Sequence, residues 1–265
     1  MFILRAPTVW PPSPSIWHPA CTKVRGVNGI GVALRGCETR DVDDESVARF
    51  AEVTEAAGGS SAALAAAVAR AGHNPGSVAV VLVEGMSDQA ALETLAARRG
   101  RDLRAEGVFV VPMGGATNIG HFLGLFGPRG FGVRLAGLCD QEEERDFRRG
   151  LQRAGLLGPG SGSASAGPLD LAGLGFFVCV ADLEDELIRS LGVRRVEQLI
   201  EAQGELGSFQ TFTRQPAQRN RTRPQQLHRF LGTRSGRKIH YGHVLAAALD
   251  LTRVPGPLAG VRSRV

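Results

Sequence analysis

Glu84-Gly85-Met86-Ser87-Asp88 places two carboxylates directly behind an apolar run, Val78–Val83. A second apolar run, Gly132–Cys139, ends in Asp140-Gln141-Glu142, and a third, Gly175–Ala181, ends in Asp182, Glu184, Asp185 and Glu186. Buried strands usually end in turn residues, so acids at the end of three apolar runs need a reason. Two carboxylates about 4 Å apart repel by roughly 4 kcal/mol at an effective dielectric near ~20. Converging acids are therefore tolerated only with protons, arginines or a divalent cation among them. No His or Cys joins the pattern, and an all-oxygen donor set favours Mg²⁺ or Mn²⁺ over zinc.

The elements that must carry these acids follow from the same runs. Val78–Val83 consists only of small or branched apolar residues, the mark of a strand buried on both faces in a parallel sheet. Val108–Val111 is a further strand, ending in Pro112-Met113-Gly114-Gly115. Helical stretches over roughly Asp88–Arg99, Thr117–Phe126 and Glu142–Ala154 separate the four runs. A β-α-β-α-β-α-β series predicts an α/β fold with a parallel sheet and right-handed crossovers. Ligands of such sheets bind at the carboxyl ends of the strands, where these acids fall.

Around this centre the chain divides by composition. Residues 1–40 are interrupted by Pro11, Pro12, Pro14 and Pro19 and read as a disordered or misassigned N-terminus. Residues 41–76 form a helical lead-in (41–57 and 60–71), and 77–181 the sheet domain, with a Gly/Ser/Pro-rich flexible insertion at 158–168. Residues 182–252 read as helices over 183–191, 194–202, 206–213, 224–231 and 236–249, and 253–265 as a tail opened by Pro255-Gly256-Pro257.

Charge is distributed unevenly. Of 31 basic and 26 acidic side chains, residues 187–265 hold 14 and 4, leaving 17 and 22 for residues 1–186: net +10 against −5. An acidic end joined to a basic one suits an enzyme that holds metal with carboxylates and phosphates with cations. The plainer reading is a solvated surface in which Arg has replaced Lys throughout, since only Lys23 and Lys238 remain. The four cysteines (21, 37, 139 and 179) show no CxxC spacing or disulfide framework, which fits a reducing cytoplasm. No apolar run approaches a membrane span, and the start is too short and proline-rich for a signal peptide.

Glu84-Gly85-x-x-Asp88, Gly114-Gly115 and Asp140-x-Glu142 together resemble the Toprim domain of topoisomerases, primases and nucleases. Ala181–Ile188, Glu201–Phe209 and Gly236-Arg237-Lys238 extend the resemblance, more narrowly, to OLD-family (overcoming lysogenization defect) endonucleases. The resemblance implies a Toprim-like, Rossmann-like sheet followed by a helical C-terminal subdomain. It also implies an Mg²⁺- or Mn²⁺-dependent endonuclease using one or two ions. In it Glu84 is a metal ligand or general acid/base, and Asp88 binds the same ion. Asp140 and Glu142 stand for the family's metal-bearing acid pair, Glu142 being one methylene longer than the usual Asp. Glu184 serves a second metal, and Lys238 with Arg237 stabilises the phosphate; Asp182, by its offset to Asp185, reads instead as an N-cap.

The implied partners are DNA and a separate ABC-type ATPase subunit, because no Walker A sequence occurs in these residues; a homodimer stays open. Plainer readings stand beside these: Asp88 as an acid favoured by a helix N-terminus, Lys238 as a surface cation, and His121, His228, His240 and His243 as structural. Two other functions compete: a non-catalytic nucleic-acid-binding or regulatory module, and a receiver-like domain with Asp140 as phosphoacceptor. Glu84-Gly85-x-x-Asp88 argues against the second.

Overall fold

A computed structural model describes residues 64, 66–68, 74–157 and 169–265. Four strands, β1 (Ala79–Val83), β2 (Val108–Pro112), β3 (Arg134–Asp140) and β4 (Phe176–Cys179), form one sheet in the order β2-β1-β3-β4. Every pairing is parallel, with Val81 opposite Val110 and Ala136, and Cys139 opposite Val178. Successive side chains of a strand point to opposite faces, and β1 buries both. Ala79, Val81 and Val83 enter one core; Val78, Val80 and Leu82 enter the other.

The chain steps from β1 to β2 on one side, then returns past β1 to lay down β3 on the other. The reversal leaves a crevice between the carboxyl ends of β1 and β3, the usual ligand position in open α/β sheets.

On one face α2 (Ile119–Phe126) and α3 (Glu144–Arg153) bury Phe122, Phe126, Phe147 and Leu151. On the other, α1 (Met86–Arg98) shares a core with helices C-terminal to the sheet. After α4 (Leu169–Gly173), those are α5 (Leu183–Leu191), α6 (Val193–Ala202), α7 (Leu206–Thr213), α8 (Arg223–Leu231), α9 (Ser235–Ala248) and α10 (Gly256–Arg264). The helical C-terminal part is thus the second layer over the sheet: Leu187, Phe209, Tyr241, Leu245 and Leu258 lie in the same core as Val81 and Leu138.

Two elements depart from the sequence reading. Gly256–Arg264 is helix α10, not a tail. Pro257 falls in its first turn, where no intrahelical N–H is required, and Leu258 and Val261 are buried. The stretches at 117 and 142 open as 3₁₀ turns (Ala116–Asn118 and Gln141–Glu143) before α2 and α3 begin. Of the expected lead-in helices, Leu64 and residues 66–68 are helical; the rest, with residues 1–40 and the 158–168 insertion, lie outside the described residues.

In the second layer α9 packs closely on α1. A Cβ on Gly242 would stand 2.6 Å from the carbonyl oxygen of Ser87, so only glycine permits this packing. Arg98 of α1 donates to the carbonyls of Ala246 and Leu249 at the end of α9. Lys238 lies one helical turn before Gly242, on the same face, and the contact therefore fixes how near Lys238 comes to the first turn of α1.

Candidate metal centre

Glu84 follows β1 immediately and Asp140 is the last residue of β3, so the two flank the crevice. Carboxylate oxygens of Glu84, Asp140 and Glu143 all lie within 4.8 Å of one another. Glu84 is within hydrogen-bonding reach of both other acids. Burial, then the charges of Asp88, Glu84 and Asp182, push Asp140 up to about 9. Burial and the hydrogen bond with Glu84 push Glu143 up to about 7.

The third member corrects the sequence expectation. Asp140-x-Glu142 suggested Glu142 as the partner of Asp140. The 3₁₀ turn at 141–143 instead leaves Glu142 exposed and carries Glu143 inward. Such a turn advances about 120° per residue, so two adjacent acids face different ways. Only the knowledge that the chain turns at once after Asp140, rather than running on as strand, would have separated them.

A second set of acids lies on the β4 side. Asp88 is buried, and one of its oxygens accepts the Gly85 N–H at 2.8 Å. Burial first, then the charge of Glu184, pushes it up to about 7. The helix-start reading of Asp88 is therefore realised by one of its oxygens; the other makes no hydrogen bond among the described residues. Glu184 is 2 % exposed, with one oxygen 3.3 Å from Lys238 Nζ and the other without a hydrogen-bond partner among the described residues. Burial holds its carboxyl above the usual range despite Lys238.

The remaining acids after β4 are committed elsewhere. Asp182 caps α5, accepting the Asp185 N–H at 2.8 Å, and its other oxygen pairs with His228. Glu186 accepts from the Val180 N–H at 2.9 Å and pairs with Arg189 at 2.6 Å. Ala181, with φ 68°, turns the chain between strand and cap, a left-handed conformation that a non-glycine residue rarely adopts.

A further expectation meets the geometry differently. Arg237 was expected to face the phosphate, but its guanidinium is bound to Glu205 at 2.7 Å and lies 4.3 Å over the Phe230 ring. Glu205 also accepts from Tyr241 at 2.9 Å, so this group ties α7, α8 and α9 together. Gly114 and Gly115, part of the Toprim-like pattern, both donate their N–H groups to the Glu84 carbonyl. They anchor the end of β1, and the backbone at Glu84 with it.

The donor set fits a hard divalent cation. Its ligands are carboxylates, three converge in one place, and Glu143 and Glu184 each hold a buried oxygen that no described group satisfies. Residues 77–141 match the family model of the overcoming lysogenization defect protein-like TOPRIM domain. This segment is an OLD-like TOPRIM domain. Among solved structures, the C-terminal region of the Xanthomonas campestris pv. campestris OLD protein aligns at TM-score 0.57 and 21% identity, over 71% of this chain and 92% of that one. The C-terminal region of the Burkholderia pseudomallei OLD protein aligns at TM-score 0.56 and 18% identity, covering 70% and 95%. At such identities the likeness is one of fold, and it extends well beyond the TOPRIM segment. No curated protein matches the chain. An OLD-like TOPRIM domain is a nucleotide-processing, metal-binding fold. Among the described residues no helix is long and apolar enough to cross a membrane.

Proposed function

We propose that this chain is a divalent-metal-dependent endonuclease that hydrolyses phosphodiester bonds of DNA. The observation that carries the reading is the convergence of Glu84, Asp140 and Glu143 at the reversal point of the sheet. These three would hold one Mg²⁺ or Mn²⁺, with Asp88 and Glu184 available to a second ion. A bound ion of this kind supplies Lewis-acid polarisation of a phosphoryl oxygen and acidifies water.

The protein's own groups supply the rest. Lys238 is the cation nearest the buried acids, its pKa raised because the Glu184 and Asp88 charges outweigh burial. A compact ammonium in that position meets one non-bridging phosphate oxygen and stabilises the charge that grows there. Arg214, Arg219, Arg221, Arg229 and Arg234 are exposed on the C-terminal helices and their connections, and would hold the DNA backbone in a salt-dependent way.

Purified protein incubated with supercoiled plasmid and Mg²⁺, Mn²⁺ or EDTA tests the reading. Nicked or linear product with an ion and none with EDTA supports it. Binding without cleavage under every ion, also alongside an ABC-type ATPase, makes the chain a non-catalytic nucleic-acid-binding module.

A further inference from the structure

His228 of α8 was read from the sequence as structural, yet its placement is unlike that of the other described histidines. His243 is tied to Thr94 at 2.7 Å, His240 to Gln203 at 2.9 Å, and His121 packs edge-on against Phe122 at 5.8 Å. His228 alone among them is anchored by a carboxylate, through Nε2 to Asp182. Its side chain is 40% exposed, and Nδ1 has no hydrogen-bond partner among the described residues. The Asp182 cap needs only the oxygen that accepts the Asp185 N–H. Pairing its second oxygen with an imidazole is therefore not required to start α5.

The anchor also lies beside the metal centre. Asp182 acts electrostatically on Asp140 on one side and on Glu184 and Lys238 on the other. An imidazole held there by Nε2 leaves Nδ1 without a described partner, on a side chain 40% exposed, one residue removed from Asp140 through Asp182. A carboxylate behind a histidine fixes its orientation and tautomer and stabilises the imidazolium, a standard arrangement for proton transfer.

We propose that His228 is the general acid of phosphodiester cleavage, giving its Nδ1 proton to the departing bridging oxygen, with Asp182 as its positioning residue. The inference rests on the nuclease reading above. A water oxygen bonds to phosphorus and releases a proton to a carboxylate of the cluster. The bond from phosphorus to the bridging oxygen breaks, its electron pair stays on that oxygen, and the Nδ1 proton joins it to give a hydroxyl terminus. Neutral His228 then takes a proton back from solvent. The acids facing the ring are Asp182, Glu184 and Asp185, and the Asp182 hydrogen bond leads in holding its pKa above the ordinary value. Lys238, bound to Glu184 and firmly charged, remains the fixed cation.

The test uses a short duplex in which sulfur replaces the bridging oxygen at a linkage that the wild type cuts. A thiolate leaves without protonation, since thiols ionise near pH ~8.5, whereas an alkoxide is comparable to hydroxide, whose parent water has a pKa of about 15.7. His228→Gln should slow cleavage of the oxygen substrate by about 10²-fold or more while cutting the sulfur substrate nearly as fast as wild type. Asp182→Asn keeps an N-cap residue and should show the same pattern more weakly; it carries the comparison if His228→Gln does not fold. Equal losses on both substrates, or no loss on either, overturn the general-acid assignment while leaving the nuclease reading intact. A wild type that cuts neither substrate overturns the nuclease reading, and this inference with it.

Discussion

The carboxyl edge of this sheet holds two groups of acids that are treated in opposite ways. On the β4 side charges are matched: Glu184 has Lys238, Asp182 has His228 and a backbone N–H, and Glu186 has Arg189. Between β1 and β3, Glu84, Asp140 and Glu143 face one another, no salt bridge joins them to a cation among the described residues, and burial and mutual charge raise the pKa of Asp140 and Glu143. On the paired side Glu184, Asp182 and Glu186 each have a cation as folded. The unpaired side is under repulsion that bound protons relieve until pH rises through about 7 to 9, and that a divalent ion would relieve in their place. A matched group of acids builds structure, and an unmatched one beside it marks where a ligand belongs.

The largest expected effect comes from breaking the unmatched side. Asp140→Asn changes volume hardly at all and removes one ligand. Several kcal/mol of transition-state stabilisation should be lost, on the order of 10³-fold or more in cleavage rate at about 1.36 kcal/mol per decade. Because repulsion falls, the metal-free protein should unfold at the same temperature as wild type or higher. DNA retention at low salt should survive, since it rests on arginines of the other half. A variant that both unfolds and stops binding would mean Asp140 is structural.

On the matched side the same kind of change should harm folding instead. Lys238→Ala leaves Glu184, 2 % exposed, without its cation. Unsatisfied buried groups cost about 1–3 kcal/mol, and adding Glu184→Gln should recover part of that in chemical unfolding. No recovery in the double variant would show that the pair is not coupled.

The two sides should also separate by pH. On the unmatched side burial and neighbouring acids push Asp140 up to about 9 and Glu143 up to about 7, against ordinary values of 3.8 and 4.5. A raised folded value means that the native state keeps protons which the unfolded chain has released. The stability these groups add is thus full below about pH 4 and lost as pH rises through about 7 to 9. In EDTA the melting temperature should fall between about pH 5 and pH 8.5, and Mg²⁺ should raise it more at the higher value. A flat profile with no ion effect would contradict the unmatched reading.

The smallest effect distinguishes neighbours. Glu142→Gln should change stability by less than about 0.5 kcal/mol, as for an exposed substitution, and leave cleavage as it was. Glu143→Gln should weaken ion binding. The opposite ranking would restore Glu142 to the site.

What the sequence made legible was whatever depends on local pattern. Unbroken apolar runs specified strands buried on two faces, and the order of helices and strands specified a parallel sheet with acids at one edge. Glu84 and Asp140 could be placed because each sits directly at a strand end. Glu143 could not, because an extended chain would bring Glu142 to the Asp140 face, and only the helical turn at Gln141–Glu143 brings Glu143 there instead. Arg237 and His228 could not either: their partners, Glu205 and Asp182, lie 32 and 46 residues away. Such pairings are set by how α7, α8 and α9 pack, and no spacing within a segment records them. Helix α10 was hidden because Pro255 and Pro257, which usually end helices, here begin one.

The most direct measurement is the anomalous difference density of a crystal grown or soaked with Mn²⁺. The account predicts a peak within bonding distance of carboxylate oxygens of Glu84, Asp140 and Glu143, lost in Asp140→Asn. Saturating Mn²⁺ with no peak there, or a peak only among surface acids such as Glu142, would contradict it.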